Sequence, residues 1–340
     1  MTKIMKPRPT QKQIAEKLGL SAATVSLALR DNPVVAKSTR DLVQQAMRDT
    51  GYVRNLAAAS LRTGRSNIVG VSFESIAHNS FGALLRSIER AFEQSGAVIL
   101  INSHEGDPDK LDRFISTLAT YGADALLVAP PADTPLSMME RVGHHGMPVL
   151  YLGPDVVEDR SSDRVGMDEE AAGRMAAQHL LDSGYERPCF IGEIGNSATA
   201  KARLKGFRSV LKKAGIKWND DCLASCRATV DDATDAVKVL LDGVSAPVGL
   251  VCNGDEIGVG AMKALLDLGR KPGADIGLVA IGSERTASMC VLRMTIVCED
   301  TEAMGKLGAE TMLARLEDDE AEVRQIVLEP KLIVGGTSTR

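Results

Sequence analysis

Thr10-Gln-Lys-Gln-Ile-Ala-Glu-Lys-Leu-Gly-Leu-Ser-Ala-Ala-Thr-Val-Ser26 is the stretch from which the remainder of this 340-residue chain can be read. Thr10 and Gln13 have the spacing of a capping box, in which a hydroxyl and an amide oxygen each accept a backbone N–H at a helix start. A short helix therefore begins near Gln11. Ile14, Ala15 and Leu18 share one of its faces, and Gly19 ends it. Ser21 caps a second helix through Leu29, with Val25, Ala28 and Leu29 turned back toward the first. Two short amphipathic helices joined by a glycine turn, with a small Ala15 where they cross, form the helix-turn-helix pattern. A third helix is expected from about Thr39, behind Ser38 as its cap, to Gly51.

The second helix of such a pair places its N-terminal residues in the major groove. Here those are Ala22, Ala23, Thr24 and Ser26, and Thr10, Ser21, Leu27 and Arg30 complete the expected DNA-contacting set of the head. The alanine methyls suit thymine, and the hydroxyls can reach phosphate or a base edge. A helical hairpin inside a larger core would show the same periodicity, but the charge argues against burial. Residues 1–66 carry 12 Lys+Arg against 4 Asp+Glu, whereas the whole chain is −5, which leaves −13 on residues 67–340. A basic head on an acidic body is the footprint of nucleic-acid binding by one part only.

Asn55 can cap a further short helix, Leu56-Ala-Ala-Ala-Ser-Leu-Arg-Thr, that Gly64 closes. A helix this short is marginal alone in water, so it is expected to form only when DNA and a second copy hold it. Leu61 on it would be an apolar wedge for a minor-groove step, kinking the duplex at a cost of roughly a few kcal/mol. Taken alone, the stretch fits an ordinary helical linker equally well.

The run from Thr10 to Ser26, followed by Asn32-Pro-Val-Val, Thr39-Arg40, Gly51-Tyr52, Asn55 and Ser60-Leu-Arg-Thr-Gly-Arg-Ser66, resembles the head and hinge of the lac repressor (LacI/GalR-type) family. The resemblance is close over the first 66 residues and extends in organisation over the whole chain. It implies that Leu61 is the intercalating hinge leucine, Ala58 its neighbouring minor-groove contact, and Ala22 and Ala23 base-reading positions. Leu27 stands where many members have a base-contacting arginine, and a leucine cannot make a bidentate contact to guanine. The operator is accordingly expected to differ from the usual half-site.

At 44% hydrophobic residues the chain can bury sizeable cores beyond the small head. No apolar run reaches the length of a membrane span and the N-terminus is polar without a signal-like segment, so a cytoplasmic protein is expected. Cys189, Cys222, Cys226, Cys252, Cys290 and Cys298 are scattered through strand-like runs and read as structural thiols, not as metal or redox groups. Gly192-Glu-Ile-Gly195 and Gly258-Val-Gly260 make no full phosphate loop, and His144-His145 cannot share one helical face. No catalytic set, metal site or cofactor is expected, and an enzyme is the weaker reading.

From Ile68 onward, short strands that are apolar on both faces alternate with helices, the pattern of parallel sheets covered on both sides. The rhythm restarts at Asp168 after a loop over Gly153 to Gly166, and a single strand is expected over Val323 to Val334. The expected architecture is an all-α helix-turn-helix head (1–54), a hinge helix and linker (55–66) and an α/β effector-binding and dimerisation domain (67–340). The resemblance implies that this domain is two-lobed and periplasmic-binding-protein-like. Its first lobe would take 67–164 and 299–322, and its second 165–298 and 323–340.

Ligands of open α/β sheets sit beyond the carboxyl ends of the strands. The loops there are rich in Ser, Asn, Asp and Glu, which suits a small polar metabolite: a sugar, a sugar derivative or an organic acid. Arg203, in Arg-Leu-Lys-Gly-Phe207, matches the family arginine that reaches the effector, although a surface salt bridge is the ordinary role of such a residue. Asp255 falls at the family's Asn-Asp pair, with Gly254 breaking the pattern and Asn253 as a substitute. Ile281-Gly282-Ser283 lies where sugar-responsive members show an aromatic and aspartates, and the usual aromatic platform falls at Ala228. A ring-stacked, carboxylate-clamped sugar is therefore hard to place. Asn79, Phe81 and Ser283 complete the effector set, with core or capping roles open to Asn79 and Phe81. Arg203, with Arg227 or Arg285, would tolerate an anionic effector. The chain thus reads as a transcriptional regulator, a repressor by expectation, that binds palindromic operator DNA as a homodimer under control of a small-molecule effector.

Overall fold

Why the chain divides where it does follows from its two kinds of core. A computed structural model describes residues 9–29, 32–52, 65–76, 81–153, 159–193, 195, 197–244 and 247–339. The chain separates into two units, Met1–Ser66 and Asn67–Arg340.

The first unit holds α1 (Gln11–Leu18), α2 (Ala22–Ala28) and α3 (Lys37–Thr50) around Ile14, Ala15, Val25, Ala28, Val35, Val43 and Ala46. Thr10 and Gln13 form the full capping box, with Gln13 N–H donating to the Thr10 hydroxyl at 3.3 Å and Thr10 N–H to Gln13 Oε1 at 2.8 Å. Gly19 closes α1 at φ 66°, the left-handed region in which glycine meets no Cβ penalty. Ser21 caps α2 by accepting Thr24 N–H at 3.0 Å. The third helix departs from expectation: it starts at Lys37 behind Ala36, which makes no side-chain cap, so Ser38 lies inside it and Thr39 is not its start. Gly51 ends it in the left-handed conformation.

The second unit contains two six-stranded sheets. In the first, β1 (Ile68–Phe73), β2 (Val98–Ser103), β3 (Ala125–Val128), β4 (Val149–Leu152), β5 (Asp163–Met167) and β11 (Gln325–Leu328) run in the order β11-β5-β4-β3-β1-β2, all parallel. Helices α4 (Phe81–Phe92), α5 (Pro108–Tyr121), α6 (Leu136–His144) and α12 (Thr301–Glu317) accompany it. Val69, Val71, Leu127 and Leu150 pack toward α4 and α12, while Leu126, Val128 and Tyr151 join Leu111, Leu118 and Val142 in a separate cluster. These strands are apolar on both faces because both faces are covered.

The second sheet runs β12-β10-β9-β8-β6-β7, from β6 (Arg187–Ile191), β7 (Leu223–Ala224), β8 (Val248–Cys252), β9 (Ile276–Gly282), β10 (Thr295–Cys298) and β12 (Lys331–Ile333). Only β12 is antiparallel, against β10. Its helices are α7 (Glu169–Asp182), α8 (Ala198–Lys213), α9 (Val230–Leu240), α10 (Asp255–Asp267) and α11 (Glu284–Met289).

The lobe boundaries expected from sequence shift in two places. The loop over 153–166 contains the start of β5, a strand of the first sheet, so that sheet extends past residue 164. The single strand expected over 323–334 is two, with β11 in the first sheet and β12 in the second. Glu329 and Pro330 separate them, and proline, which has no N–H to give a ladder, ends the first. The last residues that cross between lobes are therefore 329–330, while α12 belongs to the first lobe as expected.

Candidate functional site

In the head unit, the start of α2 presents Ser21, Ala22 and Ala23 to solvent, with Thr24, Ser26 and Leu27 half-buried. The Ser21 and Thr24 hydroxyls lie 2.8 Å apart and Gln11 Nε2 donates to the Ala22 carbonyl at 3.3 Å, which holds the two helix starts together. Two bare methyl groups on a helix tip, with capping hydroxyls beside them, offer apolar contact and hydrogen bonding without a large side chain in the way. Leu27 instead packs against the head core, so the position at which an arginine would read a base carries part of the fold. Arg30, Asn55, Ala58 and Leu61, and with them the expected hinge helix, lie outside the described residues.

In the second sheet, the carboxyl ends of β6, β8, β9 and β10 bring one polar cluster together. Its geometry begins with two glycines. A Cβ on Gly173 of α7 would stand 1.8 Å from the Arg203 carbonyl oxygen, and one on Gly206 of α8 would stand 1.9 Å from that of Glu170. The helices thus touch backbone to backbone, an approach that only glycine admits. That contact sets Arg203 against Glu169 in the first turn of α7: Nε donates to Oε2 at 2.7 Å, and Arg203 Nη1 donates to Asn253 Oδ1 at 3.0 Å. Both side chains of the ion pair are largely buried.

Asn253 follows β8 directly, and its Nδ2 donates to the Glu193 carbonyl at 3.4 Å. Gly254, at φ 136°, lets the chain turn into α10, where Asp255 Oδ1 accepts Ser283 N–H at 2.8 Å. Gly282 leaves the room for this, since a Cβ there would meet Asp255 Oδ1 at 2.3 Å. Ser283 in turn caps α11 by accepting Arg285 N–H at 3.2 Å. Glu299 stands just after β10, partly exposed. Burial and the nearby Glu169 push its carboxyl up to about 7 against the pull of Arg203, with Asp255 adding to the rise.

Of the expected effector residues, Arg203, Asn253, Asp255 and Ser283 meet here, and Asn79 lies outside the described residues. Phe81 opens α4 and stacks edge-on to Phe73 with centroids 4.8 Å apart, a packing role in the first lobe. Glu169 and Glu299 were not anticipated. Their sequence signals, an acid directly after the Asp168 cap and one directly after an apolar strand, are ordinary ones. Of the arginines expected to answer an anionic effector, Arg203 is paired with Glu169, Arg227 forms a two-point ion pair with Asp232 at 2.5 and 3.1 Å, and Arg285 is exposed. In the first lobe, buried His104 ties two strand-end loops, with Nε2 2.8 Å from the Ala129 carbonyl oxygen and Nδ1 accepting Gly106 N–H at 3.2 Å. Its pKa is lowered by burial.

Among the described residues, no group of three or more His, Cys, Asp or Glu is arranged to hold a metal ion. Burial raises the Cys189, Cys226, Cys252, Cys290 and Cys298 thiols, the last to about 11, which disfavours the reactive thiolate.

The family model described as "Periplasmic binding proteins and sugar binding domain of LacI family" matches residues 66–324, and that of "Bacterial regulatory proteins, lacI family" matches residues 10–55. The chain belongs to the LacI family. It is a DNA-binding transcriptional regulator with ligand-controlled activity, built from a helix-turn-helix head and a periplasmic-binding-protein-like body. Among LacI-family relatives, it is 24% identical over 326 residues to the HTH-type transcriptional repressor PurR of Klebsiella pneumoniae (strain 342), covering 95% of both chains. The structure of the transcriptional regulator CelR–cellobiose complex is 25% identical with a TM-score of 0.70, over 97% of this chain and 100% of the other. The lac repressor dimer bound to operator and the anti-inducer ONPF has the same fold, at 20% identity and a TM-score of 0.84 over 98% and 100% of the two chains. Among the described residues, no helix is long and apolar enough to cross a membrane.

Proposed function

We propose that this LacI-family regulator is a repressor that binds a palindromic operator as a homodimer, and that a small polar metabolite held between the two lobes of its body sets the affinity. The observation that carries the reading is the exposed, capped start of α2, with Ala22 and Ala23 at its tip, on a head whose net charge opposes that of the body. Two such helices reading successive major grooves account for a basic head of this size. Leu61 is the hinge wedge, with Asn55 capping its helix and Ala58 beside it in the minor groove. A repressor named among the relatives supports the sign of regulation.

The effector contacts are Arg203, Asn253, Asp255 and Ser283, with Asn79 and Phe81 from the first lobe. The polar cluster at the strand ends of the second sheet supports this reading because its polar groups converge where open α/β sheets take their ligands. The protein binds and does no chemistry of its own, and a DNA target places it in the cytoplasm.

Fluorescence anisotropy with a symmetric duplex and a scrambled one tests this. Tight, salt-sensitive binding to the symmetric duplex is expected, with a preference of at least about a thousandfold over the scrambled one. Leu61→Gly is expected to weaken operator binding far more than non-specific binding. Equal losses on both duplexes would remove the wedge, and a monomer with no sequence preference would remove the whole reading.

A further inference from the structure

The second sheet ends on its shortest strand, and two thiols stand at that edge. β7 has two residues and β6 as its neighbour. Phe190 pairs with Leu223 and Ile191 with Ala224, so the next pair back along these parallel strands is Cys189 and Cys222, both free thiols. Side chains alternate between the two faces of a sheet. Cys189, Ile191 and Cys222 accordingly share one core cluster, while Phe190 and Leu223 pack in another. The two sulfurs therefore project side by side from the same face. Adjacent strands lie about 4.8 Å apart, inside the range of about 4.4–6.8 Å that separates the Cα atoms of a disulfide. Among the described residues, no other two cysteines stand opposite each other in a ladder. Cys252 pairs with Ile191, two residues along from Cys189, and Cys226 lies four residues beyond Cys222.

The two thiols differ in what can reach them. Cys189 is 1% exposed, on a strand flanked by β7 and β8. Cys222 is 8% exposed and ends a single 3-10 turn, Asp220–Cys222, from which the edge strand leaves. Few ladder bonds hold that edge, so it opens at lower cost than the centre of the sheet. Arg187, partly exposed and two residues before Cys189, sets its guanidinium against the Cys222 sulfur.

We propose that Cys189 and Cys222 are a redox pair, which a hydroperoxide converts into a reversible disulfide. The Cys222 sulfur attacks the peroxide and the O–O bond breaks. One oxygen stays as a sulfenic acid, and the other leaves as alcohol or water with the thiol proton, its developing charge met by Arg187. The Cys189 sulfur then attacks that of Cys222: the S–S bond forms, the S–O bond breaks, and the hydroxyl departs as water with the Cys189 proton. Two thiols have given two electrons to one hydroperoxide. Burial holds Cys189 as a thiol, so it waits for Cys222 instead of meeting the oxidant itself.

The bond would draw the start of β7 toward β6, close to the polar cluster of the same sheet. The Ala224 carbonyl accepts Gly192 N–H at 2.9 Å, and a Cβ on Gly192 would stand 2.9 Å from that of Asn253. A shift of the edge strand is thus passed to Asn253 through two contacts.

The test treats the reduced full chain with hydrogen peroxide, at a dose that oxidises free N-acetylcysteine, and then blocks the remaining thiols under denaturing conditions. Mass spectrometry should find two of the six cysteines protected from the blocking reagent, in a peptide that joins Cys189 to Cys222. All six should be blocked again after dithiothreitol. Trp218, the one tryptophan of the chain, packs on both clusters four residues before Cys222, so its emission should change with the cross-link and return on reduction. Cys189→Ser should leave Cys222 as a sulfenic acid that dimedone captures, whereas Cys222→Ser should leave Cys189 untouched by peroxide. The wild-type mapping stands on its own should either variant fold poorly. Six thiols that stay free, a Cys222 that runs on to the sulfinic acid without a bridge, a bridge between any other two cysteines, or one between two chains overturns the inference.

Discussion

Gly173 and Gly206 are the residues on which the polar cluster at the strand ends of the second sheet depends most directly, although neither is polar. The distances of 1.8 and 1.9 Å from their hypothetical Cβ atoms to facing carbonyl oxygens leave no flexible side chain to give way. Gly206→Ala is expected to force α7 and α8 apart, to destabilise the body by about 1–3 kcal/mol, and to loosen the Arg203–Glu169 pair. Urea denaturation and effector calorimetry on one preparation would check both effects, and unchanged stability would refute the crossing argument. His104 allows a second prediction, with a sign fixed by burial. Its folded form resists protonation, whereas the unfolded imidazole takes a proton near the ordinary 6.5, so the unfolded state binds more protons as the solution acidifies. Stability is therefore lost as pH falls through that value, and His179, also lowered by burial, acts in the same direction. In His104→Asn the drop in Tm between pH 7.5 and pH 5.5 should be smaller than in the wild type. Arg203 stood out in the sequence because it lies in a local motif. Its neutralisation by Glu169, 34 positions away, did not, because no pattern along the chain reports which two helices cross.

The same limit explains which elements could be read from the sequence. Strands such as Val248–Cys252 emerge residue by residue because burial on both faces demands an unbroken apolar run. β5 was hidden because Asp163 and Arg164 sit in a buried strand, a pattern that looks like a loop until their partners are known. Arg164 lies over the Tyr151 ring at 4.8 Å, and Asp163 meets Arg315 of α12 twice, at 3.0 and 3.1 Å. Arg315 also donates to the carbonyls of Asp319, Ala321 and Glu322, and Asp163 accepts Arg324 N–H at 2.8 Å. One ion pair thus fastens α12, the turn after it and the approach to β11 onto β5. Arg315→Met removes the partner of a carboxylate whose side chain is 1% exposed. A loss of about 3–5 kcal/mol is expected by analogy with other broken buried pairs, and adding Asp163→Asn should restore part of it in a double-mutant cycle. A loss below about 1 kcal/mol would show the pair to be no more than a surface bridge.

At the scale of the whole molecule, the division into a basic head and an acidic body was visible in the charge count, and the two-sheet body in its alternating rhythm. The split of the last strand across both sheets was not, since the two short apolar pieces Ile326–Leu328 and Leu332–Val334 lie only three residues apart and read as one strand. That arrangement gives the two lobes continuous covalent links, so a ligand gripped by both lobes selects one lobe arrangement over another. If the same choice governs the head's hold on DNA, the coupling must be reciprocal: the factor by which effector changes operator affinity equals the factor by which operator changes effector affinity. For couplings of about 1–3 kcal/mol this is roughly a 5- to 150-fold change in each. Calorimetric titration of the effector into free protein and into the operator complex should return the same ratio that anisotropy gives for operator with and without effector. Whatever Gly206→Ala does to one ratio it should do to the other by the same factor, because linkage ties the two. Operator affinity that stays unchanged at saturating effector would show that the two sites share a chain without sharing an equilibrium.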